Sequence, residues 1–179
     1  MALTTETGLR SPGRELAYGG LFGAAALVIP FFFHLLHLGH MFMPMYIPLM
    51  ALPFFVRPVV ASLVGLIVPV LSGLMAGMPP FFPPVAPVMA IELACMAGLL
   101  AYLRQRWPLT HVLFHLVPVL LLGRIINIGL LYASSLWLDL PAEFLAGLSF
   151  ITGWPGIILM VVVLPAIARL NRRVSVAHG

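Results

Sequence analysis

Residues 17–38 read AYGGLFGAAALVIPFFFHLLHL, a run with no Asp, Glu, Lys or Arg. As a helix it is about 33 Å long, enough to cross the ~30 Å hydrocarbon core of a bilayer. Further apolar runs follow at 45–56, 59–77, 88–103, 109–136 and 145–170. Hydrophobic residues make up 62% of the chain and charged residues 8%, far from the soluble average. The runs do not alternate polar and apolar positions as barrel strands do. The expected fold is an all-α integral membrane protein with six transmembrane helices. Residues 1–16 and 171–179 are expected to flank a membrane domain at 17–170. The span at 45–56 is the weakest, because Pro48 and Pro53 interrupt a short segment.

The arginines support that count. All nine basic residues are Arg. With six spans, Arg10, Arg14, Arg57, Arg104, Arg106, Arg169, Arg172 and Arg173 fall on one side. The opposite connections carry Asp139 and Glu143 and no positive charge. The positive-inside rule then puts both termini in the cytoplasm, as expected for a multi-pass protein of a bacterial inner membrane. No cleavage site is evident after 17–38, so this run is expected to be retained. The single Cys95 excludes an intrachain disulfide. No soluble face presents the basic residues, which argues against nucleic acid as a partner.

Chemistry-bearing residues concentrate on the side away from the arginines. HLLHLGHMFMPMY, residues 34–46, holds His34, His37 and His40, then Met41, Met43, Met45 and Tyr46. GMPPFFPPVAP, residues 77–87, carries five prolines. These exclude a helix there and predict a stiff apolar lid presenting Met78, Phe81 and Phe82. Glu92 is expected about one turn into the fourth span from that side. Arg124 and Asn127 lie in the fifth, and Glu92 and Arg124 meet if that helix ends near residue 131. Charges inside a membrane face the bundle interior and are usually paired. The pair reads equally as a packing device and as the lining of a ligand site.

His34 and His37 lie near the outer end of the first span, His111 and His115 near the inner end of the fifth. These pairs are about 25–30 Å apart in depth at helical rise, which disfavours one haem held between them. Imidazole and thioether together suit copper, yet an organic ligand among His, Met and Tyr is the preferred reading of the outer cluster. His111 and His115 are read as stabilising the inner end or meeting a partner. Gly19, Gly20, Gly23 and Ala24 give small-xxx-small spacing that lets another helix approach, within the bundle or from a partner protein. No G-x-x-x-x-G-K-[ST], H-E-x-x-H, G-x-S-x-G or C-x-x-C occurs, so the chain supplies no P-loop ATPase or familiar hydrolase site.

The order of GHMFMPMYIPLMALPFFVRP (39–58), GLIVPVLSGLMAGMPP (65–80) and MAIELACMAGLLAYL (89–103) resembles the substrate-binding S components of energy-coupling factor transporters. The likeness covers roughly residues 17–105. It implies a six-helix bundle that captures a vitamin or cofactor precursor from outside and performs no chemistry. A transmembrane T component and two ATPases would supply the energy, so ATP would be used by partners and no cofactor held by this chain. The implied pocket draws on His34, His37, His40, Met41, Met45, Tyr46, Met78, Phe81, Phe82, Glu92, Arg124, Asn127 and Trp154. The implied docking surface for the T component is Gly19, Gly20, Gly23 and Ala24. Nickel and cobalt S components use an N-terminal Met-His that this chain lacks, so no direct metal site is assigned. A cobalamin-like compound is one candidate substrate. The alternatives are an intramembrane haem- or metal-dependent redox protein and a solitary ion-coupled transporter.

Overall fold

A computed structural model describes residues 11–35, 44–82, 84–108, 110–138 and 154–177. The described elements are all helical: α1 (Pro12–Leu35), α2 (Tyr46–Ala51) running into a 3₁₀ turn (Leu52–Phe54), α3 (Pro58–Ala76), α4 (Val85–Arg106), α5 (Val112–Leu138) and α6 (Trp154–Ala177). Four stretches are long and apolar enough to cross a membrane: Pro12–Phe33, Pro58–Ala76, Val85–Arg106 and Val112–Leu138. The chain is thus a multi-pass helical membrane protein. Large side chains such as Leu63, Phe114, Ile125 and Trp137 lie on the outside of the bundle, as a protein solvated by lipid permits.

The expected span at 45–56 is built differently. Pro48 sits in α2 and Pro53 in the following turn, and together the two elements extend only about 15 Å at helical rise. Tyr46, Pro48, Leu49, Met50, Ala51, Leu52 and Pro53 are all buried. A helix apolar on every side belongs inside a protein core, and α2 packs against α1, α3, α4 and α6. Leu49 and Met50 meet Ala26 of α1, Val68 of α3, Leu93 and Met96 of α4, Leu116 of α5 and Leu164 of α6 in one core. α6 is apolar over Pro155–Arg169, shorter than the four spanning helices; residues 145–153 of the expected sixth span lie outside the described residues.

Small residues set the helix order. Gly19 of α1 faces Val60 and Val64, and Gly23 faces Val64 and Val68, so α1 and α3 run parallel. Gly65 of α3 meets Leu93 and Ala94, while Gly98 of α4 meets Ser62; α3 and α4 are antiparallel. Gly123 of α5 lies on Met96 of α4 and Asn127 on Glu92, so α4 and α5 are antiparallel too, and the start of α5 at His111 and Val112 faces Pro165, Ala168 and Arg169 in the later half of α6. The starts of α1, α3 and α5 therefore gather with the ends of α4 and α6. Arg14, Arg57, Arg104, Arg106 and Arg169 share that end.

α1 begins before residue 17. Pro12 occupies its first position, where no N–H is needed, and the Ser11 hydroxyl accepts from the Arg14 N–H at 3.4 Å. Residues 12–16, expected in the polar tail, are helical because Glu15 has a partner inside the fold. Its carboxylate accepts from Arg57 Nε at 2.8 and 3.0 Å and from the Arg57 backbone N–H at 3.0 Å. Glu15 is 2% exposed, whereas the Arg57 side chain is 56% exposed. The asymmetry predicts unequal mutants. Arg57→Ala strands a buried carboxylate and is expected to destabilise by about 1–3 kcal/mol. Glu15→Gln, which keeps an acceptor oxygen, is expected to cost less. Thermal midpoints of the two purified variants check the order.

α4 also starts early, at Val85 rather than 88, with Pro87 in its first turn. The first four N–H groups of a helix have no intrahelical partner, so Pro87 breaks no bond there. The stiffening prolines end at Pro84, not Pro87.

Candidate functional site

Two buried polar side chains of the bundle interior, Tyr46 and Asn127, converge on Glu92. Its carboxylate is 1% exposed, and it lies about 10 Å along α4 from Val85, two turns in rather than one. Tyr46 Oη–H donates to Glu92 Oε2 at 2.6 Å. Asn127 Nδ2–H donates to the same oxygen at 2.7 Å. Tyr46 and Asn127 are 3% and 7% exposed. Arg124, one turn before Asn127 on α5, lies within electrostatic reach of both Glu92 and Tyr46. The expected early end of the fifth helix is not what brings these groups together. α5 continues to Leu138, and Asn127 rather than Arg124 sits one residue-pair level with Glu92.

The local reasons are simple. Gly123 lets α5 close on α4, since a Cβ there would overlap the Met96 side chain. That approach brings Asn127, one turn on, to Glu92. Pro44 and Met45 are buried at the entrance to α2, and they direct Tyr46 inward as its first residue. Two neutral donors on one carboxylate oxygen make a strong acceptor node, with a guanidinium nearby to balance charge. Such a node suits a ligand that offers N–H or O–H groups, or a structural tie between α2, α4 and α5.

The loop expected as a lid is tied to its own helix. Gly77 closes α3 at φ +70°, a left-handed position that favours glycine, and its N–H donates to Gly73 O at 3.1 Å. The Ser72 hydroxyl donates to Met78 O at 2.6 Å. Phe81 packs on Gly73, where a Cβ would be 2.7 Å from its ring. Met78, Phe81 and Phe82 are exposed, and Phe81 rests on α3 two turns or so above the level of Glu92. Ser72 and Gly73 hold this loop, and neither stands out in the sequence.

The remaining candidates divide. Met45 is a core residue beside Tyr46. His34 lies in the last turn of α1 and Trp154 opens α6. His37, His40 and Met41 lie outside the described residues. Gly19 and Gly23 are buried against α3, whereas Gly20 and Ala24 face outward. At the arginine end, His115 is buried, stacks on Trp107 at 6.2 Å and bonds Thr110 Oγ1 and Trp107 O. It closes the turn between α4 and α5. Arg104 lies over the Phe54 ring at 5.3 Å, a cation–π contact that ties α4 to the end of the α2 segment. Among the described residues, no three His, Cys, Asp or Glu side chains converge as metal ligands. Comparison with protein-family models, with curated proteins and with solved structures gives no match to this chain.

Proposed function

We propose that the protein is the substrate-capture component of an energy-coupling-factor importer in a bacterial cytoplasmic membrane. It crosses the membrane six times, with both termini in the cytoplasm, and binds a vitamin or cofactor precursor from outside. The observation that carries the reading is the Tyr46–Glu92–Asn127 node. It lies within the bundle toward the end opposite the arginines, where the positive-inside rule puts the outside. One of its members, Tyr46, is the last residue of the His- and Met-rich stretch 34–46. The parallel packing of α1 and α3 supports a return crossing between them, made in part by the buried α2. A T component and two ATPases supply the energy that a chain without a P-loop lacks, and the outward-facing Gly20 and Ala24 offer close approach to a partner helix.

Gentle purification from cells in rich medium, followed by native mass spectrometry and an absorption spectrum, tests the reading. A stoichiometric organic mass, reduced in Tyr46→Phe or Asn127→Leu, is expected. A Soret band or a tightly held metal without an organic ligand would replace the reading with the redox alternative.

Glu92 also favours a second reading, a solitary ion-coupled transporter, because a buried carboxyl is a natural proton carrier. Uptake into liposomes without ATPases, with a pH dependence lost in Glu92→Gln, is its signature.

A further inference from the structure

The end of the bundle that carries the arginines holds a cleft that neither reading uses. It measures about 100 Å³ and lies between the first turn of α5 and the last third of the apolar part of α6. Its lining is His111, Val112, Pro165, Ala168 and Arg169. A single water needs about 10–15 Å³ of such space, so the cleft has room for a compact polar group. We propose that this cleft binds a phosphate group, supplied by the headgroup of an anionic phospholipid of the arginine-side leaflet.

Both walls offer donors. Arg169, exposed on α6, brings a guanidinium whose planar fork matches phosphate oxygens. On the α5 wall, Leu113 N–H donates to His111 Nδ1 at 3.4 Å. The neutral ring then carries its proton on Nε2 and presents a donor there. The α5 N-terminus adds the positive end of a 27-residue helix, which favours an anion. Pro165 and the small Ala168 give the α6 wall its recess. Val112 and Ala168 are apolar and buried, so the same recess has a hydrocarbon side as well as a charged one.

Depth selects the lipid over a free anion. Trp107, half exposed on the connection that leads to His111, is the residue type that settles at headgroup level. Phe114, one turn into α5, is exposed as a lipid-facing side chain would be. Arg106 closes α4 on the same connection, which adds a positive charge at this end of the bundle.

The test uses the full chain purified in detergent, with phosphatidylglycerol, phosphatidylcholine or inorganic phosphate added, read by native mass spectrometry and thermal midpoint. Phosphatidylglycerol is expected to be retained and to raise the midpoint, with phosphatidylcholine doing neither. Arg169→Gln is expected to weaken retention about fivefold, the effect of one basic residue near an anionic surface. Arg14→Gln, exposed at the same end on α1, is expected to keep it. If Arg169→Gln fails to fold, His111→Gln reads the opposite wall. A midpoint rise with inorganic phosphate alone, dependent on Arg169, would assign the same cleft to a soluble phosphate. Equal retention of both lipids, or equal loss in Arg14→Gln and Arg169→Gln, would overturn the site.

Discussion

Gly65→Ala is expected to destabilise the bundle strongly, although it adds a single methyl group. A Cβ on Gly65 would lie 2.8 Å from the Leu93 carbonyl oxygen, 2.9 Å from its carbon and 3.1 Å from Ala94 N. All three are backbone atoms of α4, so no side-chain rotation relieves the contact; the helices themselves must move apart. Separation lengthens the Ser62 hydroxyl bond to Ala94 O, now 3.0 Å. It also opens the seam where Ala61 packs with Ala97 and Ala101. In lipid no hydrophobic gain offsets this loss, because helix association there rests on close packing and hydrogen bonds. Overpacking a well-filled contact costs about 1–3 kcal/mol, occasionally more, and a rigid backbone contact belongs at the upper end. Gly20→Ala is the control. Nothing lies within 4 Å of a Cβ there, and replacing glycine inside a helix gains roughly 0.5–1 kcal/mol. Thermal midpoints should therefore move in opposite directions, down for Gly65→Ala and level or up for Gly20→Ala. A Gly65→Ala midpoint equal to wild type would mean that α3 and α4 are not in backbone contact.

These two glycines also mark what the sequence could and could not disclose. Apolar runs and arginine placement point to a multi-pass helical protein, and the helices at 58–76, 85–106 and 112–138 follow the expected runs closely. Length and hydropathy alone do not distinguish a lipid-facing helix from a buried one. The segment after Pro44 therefore reads as a span like the others, whereas the helical part of it is short, interrupted by prolines and buried among its neighbours. Glu15 and Arg57 are in the same position. Each looks like a solvated flank in the sequence, and only the parallel packing of α1 and α3 brings them together. Glu92 and Asn127 were legible as intramembrane polar residues. That Asn127 takes the direct bond, with Arg124 a turn away, depends on how closely Gly123 lets α5 approach Met96. Spacing along one helix carries no information on that distance. The loop at 77–87 was legible as stiff, but its attachment through Ser72 and Gly73 depends on the chain reversing at Gly77.

Glu92→Ala is expected to be the most damaging single change at the polar node, and comparison with Glu92→Gln separates its two roles. Alanine removes the acceptor that holds Tyr46 Oη at 2.6 Å and Asn127 Nδ2 at 2.7 Å. Both donors are then left inside the bundle, where an unsatisfied polar group costs about 1–3 kcal/mol. The change also removes the carboxylate that faces the Arg124 charge and leaves a void beside Leu93 and Met96. A total of about 3–5 kcal/mol, the usual cost of breaking a buried charged network from one side, is expected as a large fall in thermal midpoint. Glutamine keeps a carbonyl oxygen for one or both donors and nearly the same volume, so its midpoint should fall much less. If Glu92 serves only to tie α2, α4 and α5, ligand retention will follow stability: lost with alanine and largely kept with glutamine. If it belongs to the pocket, Glu92→Gln will fold with a near-normal midpoint and still lose the ligand, because an amide offers half the acceptor capacity and none of the charge. Tyr46→Phe sharpens the distinction. It removes one donor and leaves the carboxylate in place, so it should cost about 1 kcal/mol in stability. Pairing it with Glu92→Ala, which removes the acceptor outright, in a double-mutant cycle should give a coupling energy of about 0.5–3 kcal/mol. Additive behaviour of the two changes would show that the hydroxyl and the carboxylate do not act as one unit, and would remove the node as the basis for a binding site.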